Sequence, residues 1–99
     1  MRRGSTPTHT FTLPFNTEVI EKLRITYKQQ GDTVLTKTEK DVELSEKTIV
    51  CELTQEDTLS FLEKVIVEIQ LKILTKDGKV YPSDIYRVSP GRVLDEEVL

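Results

Sequence analysis

The chain contains no alanine and no tryptophan, and only one cysteine and one histidine in 99 residues. Alanine is the best helix former, so its absence speaks against a helical bundle. A lone cysteine can make neither an internal disulfide nor a zinc cluster. The four glycines, at 4, 31, 78 and 91, are too scattered to form a phosphate-cradling loop. No stretch approaches the roughly 18 consecutive apolar residues of a helical membrane span. No apolar run follows Met1-Arg2-Arg3, so no secretory signal is expected and the chain is expected to be made in a reducing cytoplasm. With a formal net charge of -3 the lysines are interleaved with acids, which argues against a nucleic-acid-binding face. A chain of this length is expected to form one domain.

What is present is β-branched. Valine, isoleucine and threonine fill almost a third of the positions, and these side chains lose freedom in a helix but pack well on a pleated surface. His9, Phe11, Leu13 and Phe15 fall on one side of a first strand and Thr8, Thr10 and Thr12 on the other, with Pro14 marking its end or an edge. Leu23, Ile25 and Tyr27 alternate with Lys22, Arg24, Thr26 and Lys28 in a second strand. Gly31-Asp32 suits a tight reversal, after which 33–38 returns around Val34 and Leu35. A short strand around Val42 and Leu44 leads through Ser45-Glu46-Lys47 to Ile49, Cys51 and Leu53 on one face, where Cys51 reads as a small core residue. Thr54, three residues ahead of Asp57, resembles a helix start, with Leu59, Phe61 and Leu62 pinning one short turn. The strongest strand is 65–74, where Val65, Val67, Ile69, Leu71 and Ile73 line one face. Asp77-Gly78 turns it back into 80–88, in which Pro82 marks a bulge or an edge.

This pattern predicts an all-β fold: an immunoglobulin-like antiparallel β-sandwich of about seven strands with one short helical turn, a small barrel being the competing architecture. Residues 1–7 are expected to form a flexible N-terminal arm, 8–91 the β-sandwich domain and 92–99 a C-terminal tail.

The residues that carry chemistry are sparse. His9 sits in phase with Phe11 and Leu13, as a half-buried strand residue does. The carboxylates, among them Glu18, Glu21, Glu39, Asp41, Glu43, Glu46, Glu56 and Asp57, fall mostly in turns or on exposed faces. No nucleophile elbow accompanies any serine, and the spaced oxygen ligands of a calcium loop are missing around Asp77-Gly78. The expectation is a protein that is not an enzyme and takes no cofactor and no metal. Binding remains. Arg2 and Arg3 make a local basic spot, and the tail places Val93, Leu94, Val98 and Leu99 around an acidic triplet. These six residues are the candidate protein interface, docking on the chain's own sheet or on a neighbour. Tyr27, Tyr81 and Tyr86 form an alternative, a glycan-stacking platform if they share one exposed face.

Several segments carry a resemblance. They are Thr6-Pro7-Thr8-His9-Thr10-Phe11-Thr12-Leu13-Pro14, Leu53-Thr54-Gln55-Glu56-Asp57-Thr58-Leu59-Ser60-Phe61, Val67-Glu68-Ile69-Gln70-Leu71 with Asp77-Gly78, and Asp95-Glu96-Glu97-Val98-Leu99. Together they resemble small proteins encoded in tailed bacteriophages and prophages of Firmicutes, and are similar to the immunoglobulin-like N-terminal domains of phage baseplate upper proteins. The coiled-coil and receptor-binding portions that follow such domains are not in this sequence, so a free-standing subunit is expected. The resemblance implies a tail- or baseplate-associated structural protein of the virion, binding phage tail proteins or itself as a homo-oligomer, with no nucleic-acid or membrane partner and no catalytic residues. The alternative is a carbohydrate-binding module that aids adsorption to the host cell wall.

Overall fold

A long antiparallel pair organises the chain. The computed structural model describes residues 1–95, 97 and 98, and its strands are β1 (Thr8–Thr12), β2 (Ile20–Gln29), β3 (Asp32–Thr38), β4 (Glu43–Ser45), β5 (Thr48–Glu52), β6 (Val67–Thr75), β7 (Val80–Pro82) and β8 (Tyr86–Val88). Strands β2 and β6 pair from Ile20 opposite Thr75 to Gln29 opposite Val67. Around them forms a five-stranded sheet in the order β3-β2-β6-β7, with β8 pairing β6 beyond β7. A second, three-stranded sheet has the order β1-β5-β4. All pairings between named strands are antiparallel. The chain changes sheet between β1 and β2, again between β3 and β4, and once more between β5 and β6. The result is an all-β sandwich of two antiparallel sheets, as the alternation predicts.

The core is the inner face of both sheets. Leu23, Ile25, Tyr27, Val67, Ile69, Leu71 and Ile73 from the larger sheet are buried with Phe11, Ile49 and Cys51 from the smaller one. Ile20, Leu53 and Phe61 complete it. Period-two alternation in β2 and β6 therefore does what the physics requires, putting one face of each strand in the core and the other in water. The single short helix, α1 (Gln55–Leu59), begins at a capping box: Thr54 Oγ1 accepts from the Asp57 N–H at 3.1 Å, and the Asp57 carboxylate accepts from the Thr54 N–H at 3.0 Å. Aspartate thus fills the place glutamate usually takes. A 3-10 turn over Thr17–Val19 precedes β2.

Four expectations shift in position or character. The first strand ends at Thr12 and does not reach Phe15; the Leu13 N–H still bonds Lys47 O at 2.7 Å, but Pro14 has no N–H to continue. The reversal after β2 is made by Gln30 (φ 51) and Gly31 (φ 82), one residue earlier than Gly31-Asp32. Two successive positive φ values are those of the hairpin turn whose twist matches antiparallel strands. The 80–88 strand is broken in two after Pro82, and Ser83 patches the break: its N–H donates to Leu71 O at 2.7 Å and its hydroxyl accepts from the Leu71 N–H at 3.0 Å.

The fourth is the N-terminal segment, which is not a free arm. Arg2 makes a parallel bridge with Gly91. The Gly91 N–H donates to Met1 O at 2.6 Å and the Arg3 N–H to Gly91 O at 3.1 Å. Farther along, Thr58 Oγ1 donates to Ser5 O at 2.8 Å, and the Leu53 N–H donates to Pro7 O at 3.0 Å. Backbone groups freed after β8 by Pro90-Gly91 find their partners here, so residues 1–7 seal one flank of the sandwich.

One buried polar side chain fixes the crossover into β6. Gln29 is 3% exposed; its amide nitrogen donates to Leu62 O at 2.9 Å and Val65 O at 3.0 Å, and its amide oxygen accepts from the Leu62 N–H at 2.8 Å. The Gln29→Leu substitution leaves those backbone groups unpartnered. It should lower unfolding stability by about 2–3 kcal/mol, the cost of stranding two or three buried polar groups after partial relaxation. Urea denaturation with an unchanged slope is the measurement.

Candidate interaction surfaces

The groups most capable of chemistry meet inside the sandwich. His9 on β1 and Cys51 on β5 are cross-strand partners, and Tyr27 reaches them from β2 in the opposite sheet. Tyr27 Oη is hydrogen-bonded to His9 Nδ1 at 2.8 Å and points at Cys51 Sγ, 4.0 Å away. Burial pushes the Tyr27 hydroxyl far above its ordinary pKa, raises the Cys51 thiol and lowers His9. All three shifts favour the uncharged form. The trio is therefore a neutral hydrogen-bonded tie between layers, in which Cys51 is held as the thiol and not the thiolate. Elsewhere, among the described residues, no three His, Cys, Asp or Glu side chains gather. Burial alone would raise Asp57, but the Thr54 N–H and the Lys37 ammonium, 2.9 Å away, hold its carboxyl below the usual range. It caps a helix and clamps α1 to β3.

The three tyrosines do not form a platform. Tyr27 is fully buried, because it shares the phase of Leu23 and Ile25 and packs against Phe61 with ring centroids 6.0 Å apart. It is removed from any glycan-stacking face. Tyr81 and Tyr86 lie opposite Ile73 and Ile69 on β6, which sets them about 13 Å apart along the sheet rim. Each leans on its own phenylalanine. Tyr86 meets Phe11 edge-on with centroids 6.0 Å apart, and Tyr81 meets Phe15 at 5.5 Å. The second pair opens into a depression also lined by Glu18, Val19 and Asp77.

The terminal candidates separate. Arg3 is tied inward, its guanidinium donating to Leu59 O at 3.0 Å, and Arg2 donates to Arg92 O at 2.6 Å. Arg3, Arg92, Val93 and Leu94 border one shallow depression with Leu62 and Glu63. Leu94 is 89% exposed, whereas Val98 lines a different depression with Thr6, Leu53 and Gln55. Leu99 lies outside the described residues.

The surface that residue patterns left unmarked is the outer edge of β1. The Leu53 N–H bonds Pro7 O and the Leu13 N–H bonds Lys47 O, so in this antiparallel pair it is the odd-numbered residues whose backbone groups face β5. The N–H and C=O groups of Thr8, Thr10 and Thr12 point the other way, with no protein partner among the described residues. Beside them runs a groove lined by Phe11, Ile69, Tyr86 and Val88. The sequence did hold a signal for it, the uncharged run Thr8-His9-Thr10-Phe11-Thr12.

No protein-family model, curated protein or solved structure matches the chain.

Because burial depresses the His9 pKa below 6.5, the unfolded chain binds a proton that the folded chain resists. Stability from this group is complete above pH 6.5 and lost as pH falls through the folded value. The urea midpoint should therefore drop between pH 7 and pH 5, and in His9→Gln that drop should shrink or vanish. His9 is the only histidine.

Proposed function

We propose that the chain is a bacteriophage or prophage tail- or baseplate-associated structural protein, residing in the virion and acting by binding other polypeptides. The observation that carries this reading is the open edge of β1, a row of unpartnered backbone donors and acceptors on a strand without a single charged residue. Main-chain groups of this kind supply affinity when a further strand is added, while alternate side chains set the register. The resemblance of the segments around β1, α1 and β6 to phage baseplate domains supports the same reading. Nothing in the buried His9–Tyr27–Cys51 tie supports an enzymatic one.

The carbohydrate-binding alternative keeps one observation in its favour. Tyr81, 44% exposed and backed by Phe15, lies beside the carboxylates of Glu18 and Asp77. An aromatic face next to hydrogen-bond acceptors is what sugar recognition uses. The three-tyrosine platform itself is gone, and a single ring is a small stacking surface.

Antibodies raised against the chain and applied to particles from the phage or prophage that encodes it should decorate the tail in electron micrographs. Purified particles free of the chain would remove the structural reading. In that case, binding of host wall polysaccharide by the purified protein, abolished by Tyr81→Ala, is the outcome that favours the glycan alternative.

A further inference from the structure

Each sheet edge offers a different welcome to a second strand. The free edge of β3 carries Asp32 and Lys37, β4 is only three residues long and includes Glu43, β7 ends in Pro82, and β8 carries Arg87. Charges, proline and shortness are the devices that keep edges from pairing indiscriminately. On β1 (Thr8–Thr12) none of them is present.

The residue order on β1 is also symmetric about its centre. A two-fold axis at Thr10 sets Thr10 against Thr10 of a second copy, Thr8 against Thr12 and His9 against Phe11. Every threonine on the outer face then meets a threonine, a favourable cross-strand pair. The outward backbone groups of Thr8, Thr10 and Thr12 exchange two hydrogen bonds at each of these three pairings. No like charges oppose one another anywhere along the contact. Self-complementarity of this kind is what a two-fold interface requires.

We propose that β1 pairs antiparallel with β1 of a second copy about a two-fold axis at Thr10, joining two three-stranded sheets into one continuous six-stranded sheet. The proposal rests on the protein-binding reading above and names the partner as the chain itself. Tyr86, half exposed at the rim of the neighbouring groove, is covered as the two edges close. A five-residue edge offers a contact well below the roughly 1,200 Å² of a standard stable interface. Association is accordingly weak and concentration-dependent, and a covalent trap reads it best.

The register makes a sharp distinction. At a hydrogen-bonded antiparallel pair the two Thr10 Cα atoms stand about 5.5 Å apart, within the range a disulfide spans. The two Thr12 positions lie about 14 Å apart along the strands, beyond it. Thr10 and Thr12 are both exposed, so cysteine at either site disturbs no core contact, and buried Cys51 stays silent. Thr10→Cys and Thr12→Cys proteins are incubated with oxidised glutathione and run on non-reducing gels, with urea midpoints confirming that both remain folded. Thr10→Cys should convert to a disulfide-linked dimer at least ten times faster than Thr12→Cys. In sedimentation velocity the native chain should show a sedimentation coefficient that rises with concentration, and Thr10→Lys, which sets two ammonium groups face to face, should remain a monomer.

Equal cross-linking at both sites, or a native chain that stays monomeric to millimolar concentration, overturns the proposal. A monomer that nonetheless decorates phage tails leaves the protein-binding reading standing and shows that β1 serves a different chain. A dimer that never enters a particle confirms the edge pairing and removes the virion role.

Discussion

The β2–β6 pairing is the constraint from which the rest of the molecule is built. It is the longest ladder, running from Ile20 opposite Thr75 to Gln29 opposite Val67. Its inner face supplies Leu23, Ile25, Tyr27, Val67, Ile69, Leu71 and Ile73 to the core. A slip of one residue would turn every one of these side chains to water, so the register is held by hydrophobic burial along its whole length. Both ends are then locked by side chains that bond backbone. Gln29 anchors the segment entering β6. At the far end Thr75 Oγ1 accepts from the Lys79 N–H at 3.1 Å and also bonds the Asp77 carboxylate, closing the turn into β7.

The smaller sheet depends on that ladder. Three short strands with few inward residues would not persist alone, and the structure couples them to the larger sheet through Tyr27. Its ring fills the space between layers, and its hydroxyl satisfies the only histidine. The same coupling holds the one thiol and the one imidazole in their uncharged forms, within a hydrogen-bonded network that stabilises the packing. Strand β1 lies at the border of its sheet, paired only with β5, while the segment before it bridges Gly91 through Arg2.

Legibility in the sequence followed the range of the interaction. The Thr54–Asp57 cap, the Asp77-Gly78 turn and the inward face of β6 are local patterns, and each was readable from residues a few positions apart. Tyr27 was readable too, since the alternation that buries Leu23 and Ile25 buries it as well; treating it as a surface ring ignored its phase. The docking of residues 1–5 was not readable. It uses backbone groups of Met1, Arg3 and Gly91, which every sequence possesses and no side-chain pattern reveals. The open edge of β1 lay between these cases. Its neutrality was visible in the letters, but which strand lies at a border depends on the order of strands in space.

The tip of the β2–β3 hairpin has a practical consequence. Gly31 has nothing within 4 Å of where a Cβ would stand, and Gln30 beside it is exposed. The tip closes a hairpin of which one strand, β2, is anchored in the core. Foreign sequence spliced between these two residues would be displayed on a rigid stalk, paying only a modest loop-closure entropy that grows slowly with insert length. The scaffold thus offers a natural port for a fluorophore or a grafted epitope.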